Sequence, residues 1–270
     1  MKTGMLRVAG AHLYFEVRGT GPVLLISQSG EGDAGRSVDL VDRLVSDHTV
    51  ITYDRRGLSR STLDDPARGA TVEEHADDVL RLLDHLTGEP VTMLGMSFGA
   101  TIGLHLVASG RLSRLIAHEP VAPWLLPPDE CLGHRRELAE GQEIYRRDGL
   151  PALLKEISRT LGIDLAAKDI EPDLTPQPMT EQRIANFGYF VEHDWTAIIA
   201  DRLDPATLKS APIVPVAGRA TPHTVFDYRC AEELARLLGT DLVHFPGGHN
   251  GNTSHPRAYA ASLRELLAQP

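Results

Sequence analysis

A serine between two glycines is the residue of this sequence best suited to nucleophilic chemistry. Ser97 lies in the segment Gly95-Met96-Ser97-Phe98-Gly99, which has the pattern G-x-S-x-G. Residues 91–94 before it predict a short buried strand, and residues 100–107 after it predict a buried helix. A sharp turn between strand and helix would strain the serine backbone and lift its hydroxyl clear of a sheet. The alternative is a glycine-rich turn in which the serine is incidental.

A serine hydroxyl needs an adjacent base to become a good nucleophile, and histidine can act as that base. The chain has twelve histidines. His249 stands out because it follows a predicted strand at residues 241–245 and a Pro-Gly-Gly loop. His244 falls inside that strand and His255 begins the last predicted helix, so both are less well placed. The alternative for His249 is an ordinary loop histidine.

The elements that must position these residues alternate between strands and helices. A predicted hairpin at residues 6–17 enters the sheet first. Further strands are predicted at residues 23–26, 49–53, 91–94, 115–119, 213–217 and 241–245. Strands and helices that alternate at this spacing predict an α/β fold, with a mostly parallel sheet and helices on both faces.

The alternation stops in the middle of the chain. From residue 120 to about residue 205 the sequence has no strand signal, and proline-rich breaks separate its helical stretches. Those stretches lie near residues 133–147, 151–161 and 180–201. We therefore predict a sheet domain formed by residues 1–119 and 206–270, with a helical cap inserted at residues 120–205.

The composition and net charge of the sequence limit the kinds of binding partner and the cellular compartment that we expect. The net charge of −10 argues against nucleic acid or an anionic membrane as a partner. The two cysteines, Cys131 and Cys230, form no disulfide framework, which is typical of a reduced cytoplasmic setting. The first residues lack the apolar core of a signal peptide, and no apolar run approaches the ~18 residues of a membrane span. A small molecule is therefore the expected partner, and a homodimer stays open.

The order of these parts resembles the α/β-hydrolase superfamily over nearly the whole chain. The resemblance rests on the G-x-S-x-G turn, the helical insertion and the late Pro246-Gly247-Gly248-His249. It is strengthened by Asp54-Arg55-Arg56-Gly57-Leu58-Ser59-Arg60-Ser61, which is similar to the D-x-R-G-x-G-x-S segment common there. The resemblance implies the α/β-hydrolase fold, with Ser97 as nucleophile, His249 as its base and no metal or organic cofactor. Asp54 and Arg56 are expected to be structural.

The carboxylate that orients His249 departs from the usual family position. Members usually carry an aspartate in a G-x-x-D turn after the next-to-last strand, but here that turn ends at Thr221, which carries no charge. Some members place the acid after the preceding strand, where this chain has Glu119. Glu119 follows Ser97 by enough residues for one helix and one strand, so we predict that it orients His249. The alternatives are a capping role for that glutamate and two other acids, Asp204 and Asp227.

Acyl transfer also needs two N–H donors for the oxyanion. The Phe98 N–H comes directly after the proposed nucleophile. The second donor is expected from the loop Ser27-Gln28-Ser29-Gly30, where many family members have His-Gly. We predict the Ser29 N–H as that donor, with Gln28 and Gly30 as alternatives and as substrate contacts.

Aromatic residues cluster where the predicted cap meets the sheet. Trp124 follows the first junction, and four more aromatic residues precede the second. These four are Phe187, Tyr189, Phe190 and Trp195. They predict the roof of an apolar substrate pocket, with packing inside the cap as the alternative.

These features together predict a serine hydrolase that cleaves a carboxylic ester or lactone through an acyl-enzyme on Ser97. Three segments resemble the zearalenone-type lactone hydrolases, which favours a bulky apolar or macrocyclic lactone. They are His118-Glu119-Pro120, Ala217-Gly218-Arg219-Ala220-Thr221-Pro222, and Gly247-Gly248-His249 with Ser254-His255-Pro256. The alternatives are a general carboxylesterase, a cofactor-free perhydrolase or haloperoxidase, and a non-catalytic ligand receptor. Epoxide hydrolases and haloalkane dehalogenases are excluded, because they need a carboxylate where Ser97 stands.

Overall fold

The computed structural model describes residues 1–162 and 169–269. Within these ranges nine strands form one sheet. They are β1 (Lys2–Val8), β2 (Ala11–Gly19), β3 (Val23–Ser27), β4 (Thr49–Tyr53), β5 (Thr62–Leu63), β6 (Val91–Met96), β7 (Leu112–His118), β8 (Ile213–Gly218) and β9 (Val243–Phe245). Residues 163–168 of the predicted cap lie outside the described residues.

The sheet is antiparallel at one edge and parallel over the rest of its width. Its strand order is β1-β2-β4-β3-β6-β7-β8-β9, with β5 paired to the side of β2. β1 and β2 form the predicted antiparallel hairpin, and β2 also runs antiparallel to β4. Every pair from β4 to β9 is parallel. The predicted mostly parallel sheet is therefore confirmed, while the two-residue strand β5 was not predicted.

Helices cover both faces of this sheet. The α-helices of the described residues are α1 (Val38–Leu44), α2 (Val72–Leu86), α3 (Phe98–Leu106), α4 (Pro128–Asp148), α5 (Leu150–Thr160), α6 (Glu181–Tyr189), α7 (Trp195–Ala200), α8 (Phe226–Leu238), α9 (Gly251–Ser254) and α10 (Pro256–Leu267). In β3, Leu24 and Ile26 pack with α1 and α10, whereas Leu25 packs with α2 and α3. This alternation explains the continuous apolar run in β3, because both of its faces are buried.

Between β7 and β8, the described residues form helices joined by irregular loops, and they contain no strand. This part of the chain contains α4 to α7 and a π-helical segment, Phe190–Asp194, that joins α6 to α7. The helices match the stretches expected from the sequence, and the assignment of residues 120–205 as an inserted cap stays a prediction. Across the described ranges, no helix combines the length and the apolar character needed to cross a membrane.

Asp54 and Arg56 follow β4 and hold the loops around it. The Asp54 carboxylate accepts hydrogen bonds from the Ala34 N–H at 2.8 Å and the Arg60 N–H at 3.0 Å. Arg56 donates two hydrogen bonds to Asp78 of α2, at 2.6 and 2.5 Å, and both side chains are buried. These contacts agree with the structural roles predicted for Asp54 and Arg56.

Breaking the Arg56–Asp78 pair should destabilise the fold strongly. We expect Asp78→Leu to lower the free energy of unfolding by about 3–5 kcal/mol, because it leaves the Arg56 charge buried without a partner. The double variant Arg56→Met/Asp78→Leu should be more stable than Asp78→Leu alone. Urea unfolding with unchanged m-values measures both changes.

The control for this experiment is Asp77→Leu, on the same helix. Asp77 is 43% exposed and pairs with Arg81, so its loss should cost no more than about 1 kcal/mol. A double variant less stable than Asp78→Leu would contradict the prediction, because it would show that the unpaired Arg56 does not destabilise the core.

Candidate active site

Ser97 lies at the sharp turn between β6 and α3. Its backbone has φ 53° and ψ −118°, which is strained for a residue other than glycine. The neighbouring glycines are required by close approach. A Cβ on Gly95 would lie 2.6 Å from the Ala100 Cα, and one on Gly99 would lie 2.6 Å from the Gln28 carbonyl oxygen. The G-x-S-x-G pattern is therefore a steric requirement of this turn.

Glu119 comes directly after β7, the strand next to β6, and it also has a positive φ, of 44°. Its side chain is completely buried, with 0% exposure. One carboxylate oxygen accepts a hydrogen bond from the Gly218 N–H at 2.8 Å, and the other lies 2.6 Å from His249 Nδ1. The ends of β7 and β8 and the loop after β9 therefore meet at this carboxylate.

Electrostatic interactions determine the protonation states of Glu119 and His249. Burial raises the pKa of Glu119, but its hydrogen bond to His249 and the nearby imidazoles outweigh burial and lower the pKa to about 2. Burial lowers the pKa of His249, whereas the hydrogen bond and the charge of Glu119 raise it, and the net direction is upward. An ionised Glu119 accepts from His249 Nδ1–H, so the neutral imidazole carries its lone pair on Nε2.

The other candidate acids do not hold His249. Asp204 accepts a hydrogen bond from the Ala206 N–H at 2.9 Å and begins a short helical turn. Asp227 lines the same cavity as His249 but makes no hydrogen bond to it within the described chain. Thr221 is buried at the turn where the family usually carries its acid. The geometry thus agrees with the choice of Glu119 made from the sequence.

Ser97 and His249 both line one cavity of about 340 Å³. In the part of the chain that the structure describes, no hydrogen bond joins the Ser97 hydroxyl to His249 directly. Such contacts are often long in unliganded enzymes and shorten when substrate binds. The nucleophile candidate and the oriented imidazole therefore line the same cavity.

The two predicted oxyanion donors lie at the same end of the sheet. Phe98 is the first residue of α3, where backbone N–H groups lack intrahelical acceptors. Ser29 and Gly30 line the cavity from the loop after β3. A ligand oxygen bonded to Ser97 could therefore meet the start of α3 and this loop.

Arg55 fixes that loop and was missed in the sequence. Its guanidinium is 1% exposed and donates to three consecutive carbonyl groups, those of residues 28, 29 and 30, the first two at 3.2 and 2.7 Å. It also lies 5.1 Å from the centre of the Phe98 ring and 3.3 Å from Asp194. The available signal was an arginine two residues after a buried strand, next to Arg56, which was already assigned to the family motif.

Three residues predicted to contact substrate lie off the cavity wall, and these predictions are corrected. Gln28 accepts a hydrogen bond from the Ser37 hydroxyl at 2.8 Å, so its side chain is turned into the protein. Trp124 donates from Nε1 to Asp201 at 2.7 Å. Tyr189 covers the backbone of Gly57. Packing on other elements therefore directs each of these side chains away from the pocket.

Other predicted contacts do lie on the wall of the cavity. Phe187, Phe190 and Trp195 form part of it, as do Ser29 and Gly30. Aliphatic side chains of the mid-chain helices complete the apolar surface. They are Leu138, Leu153, Leu154, Ile157 and Leu161. The cavity is mainly apolar, and its polar lining residues include Ser97 and His249, the buried His134 and Asp227, and a cluster formed by Glu31, Arg36 and Arg183.

One group of side chains has the composition of a metal site. Potential ligand atoms of Glu73, His105 and Asp201 lie within 4.8 Å of one another. Asp201 is already engaged, since one of its oxygens lies 3.0 Å from His105 Nε2 and accepts from Trp124. These hydrogen bonds tie α3 to the chain that follows α7, and the group does not line the cavity.

The pKa of His249 can be measured directly by NMR titration. In the wild-type protein we expect the pKa of His249 to lie above the usual 6.5. In Glu119→Gln we expect it to be lower by about one pH unit or more, because burial lowers the pKa of His249 and the negative charge that raises it has been removed. The exposed substitution Glu89→Gln is the control and should leave His249 unchanged. Equal titration of His249 in wild type and Glu119→Gln would contradict the pairing.

Comparison with known proteins identifies the family to which this sequence is similar. The model of the "Alpha/beta hydrolase family" matches residues 23–262. A Bacillus subtilis (strain 168) protein named "Uncharacterized hydrolase YraK" is 35% identical over 275 residues, which cover 99% of this chain and 96% of that protein.

Solved structures of the same fold include an enol-lactonase and an esterase. The enol-lactonase from Burkholderia xenovorans LB400 superposes with a TM-score of 0.71 at 21% identity, covering 98% of this chain and 100% of that one. The esterase EaEST from Exiguobacterium antarcticum superposes with a TM-score of 0.74 at 20% identity, covering 99% of each chain. At these identities the structures support the fold alone, whereas the family model and the Bacillus relative extend over nearly the whole sequence. This chain belongs to the alpha/beta hydrolase family.

Proposed function

We propose that this protein is a serine hydrolase that cleaves a carboxylic ester or lactone through an acyl-enzyme on Ser97. The observation that carries the proposal is the 2.6 Å contact between Glu119 and His249 Nδ1, on the wall of the cavity that Ser97 also lines. Membership of the alpha/beta hydrolase family and a relative named as a hydrolase support it.

The proposed reaction has two half-reactions, acylation and deacylation of Ser97, and the same side chains and N–H groups act in both. His249 Nε2 takes the proton from the Ser97 hydroxyl as its oxygen attacks the substrate carbonyl. The Phe98 and Ser29 N–H groups stabilise the resulting oxyanion. His249 then gives the proton to the leaving alcohol, and a water activated by the same imidazole hydrolyses the acyl-enzyme. Glu119 stays ionised and stabilises the imidazolium that forms twice in this cycle.

The substrate that fits this cavity is bulky and mainly apolar. Its wall is built from aromatic and aliphatic side chains, and a volume of about 340 Å³ is sufficient for a ring-containing molecule. We therefore propose an aryl or macrocyclic lactone, with residues 120–205 acting as a cap over it. A general carboxylesterase is the second candidate, and it would accept short acyl esters equally well.

A fluorophosphonate should label Ser97, and this experiment tests the proposed function. The reagent reports an activated serine, so wild-type protein should gain one adduct, located at Ser97 by peptide mass spectrometry. Ser97→Ala should lose labelling and lose turnover by several orders of magnitude, since residues of such a constellation act as a unit. Ser113→Ala, at an exposed serine of β7, is the control and should retain both. An adduct confined to another serine would disprove the assignment.

Substitution of two aromatic residues of α6 distinguishes a substrate contact from a packing contact. Phe187 lines the cavity, whereas Tyr189 lies off it. We expect Phe187→Ala to raise KM for an aryl macrolactone by about tenfold more than for 4-nitrophenyl acetate, because only the larger substrate reaches that wall. Tyr189→Ala should change both substrates by the same factor. Steady-state kinetics on the two substrates make the comparison, and equal losses in Phe187→Ala would favour the general carboxylesterase.

A further inference from the structure

Two arginines share one carboxylate on the lining of the cavity, in a cluster that the proposed reaction does not use. Glu31 and Arg36 belong to the loop between β3 and α1, and Arg183 belongs to α6. All three side chains line the cavity that contains Ser97 and His249. The side chain of Glu31 is 8% exposed, and each arginine side chain is 17% exposed. Two positive charges and one negative charge are therefore held close together in a mainly apolar cavity.

Arg183 uses its hydrogen-bonding groups within the protein. Its Nη2 and Nε donate to the two carboxylate oxygens of Glu31, at 2.7 and 3.2 Å. Its Nη1 donates to the carbonyl groups of Gln177 and Pro178, at 2.6 and 3.2 Å. Every nitrogen of this guanidinium is thus engaged, and Arg183 alone bonds both oxygens of the carboxylate that the two arginines share.

Arg36 is paired much less completely than Arg183. Its Nε lies 3.2 Å from the Glu31 oxygen that already accepts from Arg183 Nη2. Within the described chain, Nη1 and Nη2 of Arg36 donate no hydrogen bond, yet neither is a fully buried unsatisfied atom, so a ligand can reach them. Burial lowers the pKa of Arg36, and the charge of Glu31 only partly opposes this effect. Arg36 therefore combines accessible donors with a charge that is incompletely compensated.

Other acidic residues do not complete the pairing of Arg36. Asp33 also acts on its charge, but the two Asp33 oxygens accept from the Gly35 N–H at 2.9 Å and the Ser59 hydroxyl at 2.6 Å, and Asp33 does not line the cavity. Three carboxylates line the cavity from α4, α5 and α8, and none of them is among the charges that act on Arg36. They are Glu137, Glu156 and Asp227.

We propose that Arg36, supported by Arg183, binds a carboxylate group of the substrate. The planar fork of a guanidinium matches the two oxygens of a carboxylate, and the free fork here is formed by Nη1 and Nη2 of Arg36. The substrate anion supplies the second negative charge that balances the two arginines. This inference rests on the proposed function, since the anionic group belongs to the ester or lactone that Ser97 attacks. The substrate is then mainly apolar, with a carboxylate separate from its scissile ester.

The distribution of charge favours the cavity of Ser97 as the place where the anion binds. Arg36 also lines a second cavity, of about 270 Å³. That second cavity is lined by Asp39, which repels an anion, whereas Arg183 lines the first cavity and not the second. The first cavity therefore offers both arginines to one carboxylate.

The structural alternative is an ion-pair network that only fastens α6 to the loop between β3 and α1. Such a network requires one arginine for one carboxylate, and Arg183 already bonds both oxygens of Glu31. A second, largely buried guanidinium beside this pair is unfavourable unless another anion satisfies it. The alternative thus explains Arg183 but leaves Arg36 without a role.

The test uses the 4-nitrophenyl half-esters of adipic, suberic and sebacic acid, each compared with an amide of the same length. In the amide a primary carboxamide replaces the free carboxylate, which keeps the shape of the probe and removes its charge. We expect wild-type protein to hydrolyse at least one half-ester with a kcat/KM about tenfold or more above that of its amide. The difference should lie mainly in KM, because the carboxylate is bound equally before and during the reaction.

Substitution of the two arginines shows whether they cause this preference. In Arg36→Met the ratio of half-ester to amide should fall close to one, whereas Arg36→Lys keeps a positive charge and should retain part of the preference. Arg183→Met should also lower the ratio, because Arg36 is then the partner of Glu31. Arg43→Met, at an exposed position of α1, is the control and should keep the wild-type ratio. A purely structural role for Arg36 would change both probes of a pair by the same factor.

Fluorophosphonate labelling of Ser97 separates the outcomes. If wild type is not labelled at Ser97, the proposed function itself fails. If wild type is labelled but hydrolyses no half-ester faster than its amide, the carboxylate site is disproved while the proposed function stands. A preference of unchanged size in Arg36→Met or in Arg183→Met, with normal labelling, also disproves the site. Two positions are substituted so that the test stays decisive if one variant fails to fold, which loss of labelling would reveal.

Discussion

The site depends on a single buried carboxylate placed where three segments of the chain end. Glu119 is completely buried, yet both of its oxygens are hydrogen-bonded, one to the Gly218 N–H and one to His249. A buried charge is tolerated only when it is paired in this way. The carboxylate therefore fixes the ends of β7 and β8 and the loop after β9 relative to one another. The positive φ of Glu119 adds strain, which the surrounding hydrogen bonds must offset.

A second buried charge links the sheet to the helices between β7 and β8. Arg55 bonds the carbonyl groups of the loop after β3 and pairs with Asp194, which ends the π-helical segment. Asp194 also lies 3.1 Å from His75 Nε2 of α2. A π-helical segment is often found at a functional site, because the extra residue redirects side chains. Here it places Phe190 on the cavity wall and Asp194 on the arginine.

Much of the fold could be predicted from the sequence because its signals are local. The buried strands are short continuous apolar runs, and the elbow glycines belong to a five-residue pattern, although the contact that requires Gly99 is with the distant loop after β3. Glu119 could also be chosen from sequence, because the uncharged Thr221 left the usual acid position empty and parallel strands end at the same edge. The N-terminal hairpin followed from alternation and a turn at Gly10.

What could not be predicted depends on packing between distant segments. Trp124, Tyr189 and Gln28 are of types that commonly line pockets, but partners far away in the sequence turn them elsewhere. For the same reason, the sequence did not predict that Arg55 donates hydrogen bonds to the carbonyl groups of the loop after β3.

The structure of a covalent adduct tests the central claim most directly. A crystal structure of the protein after reaction with a phosphonate would show which atom carries phosphorus and what surrounds its oxygens. The account predicts a bond from Ser97 Oγ to phosphorus, one phosphoryl oxygen within about 3 Å of the Phe98 and Ser29 N–H groups, and His249 Nε2 within hydrogen-bond distance of another adduct oxygen. An adduct on a different residue, or a phosphoryl oxygen facing away from both N–H groups while Glu119 no longer contacts His249, would contradict it.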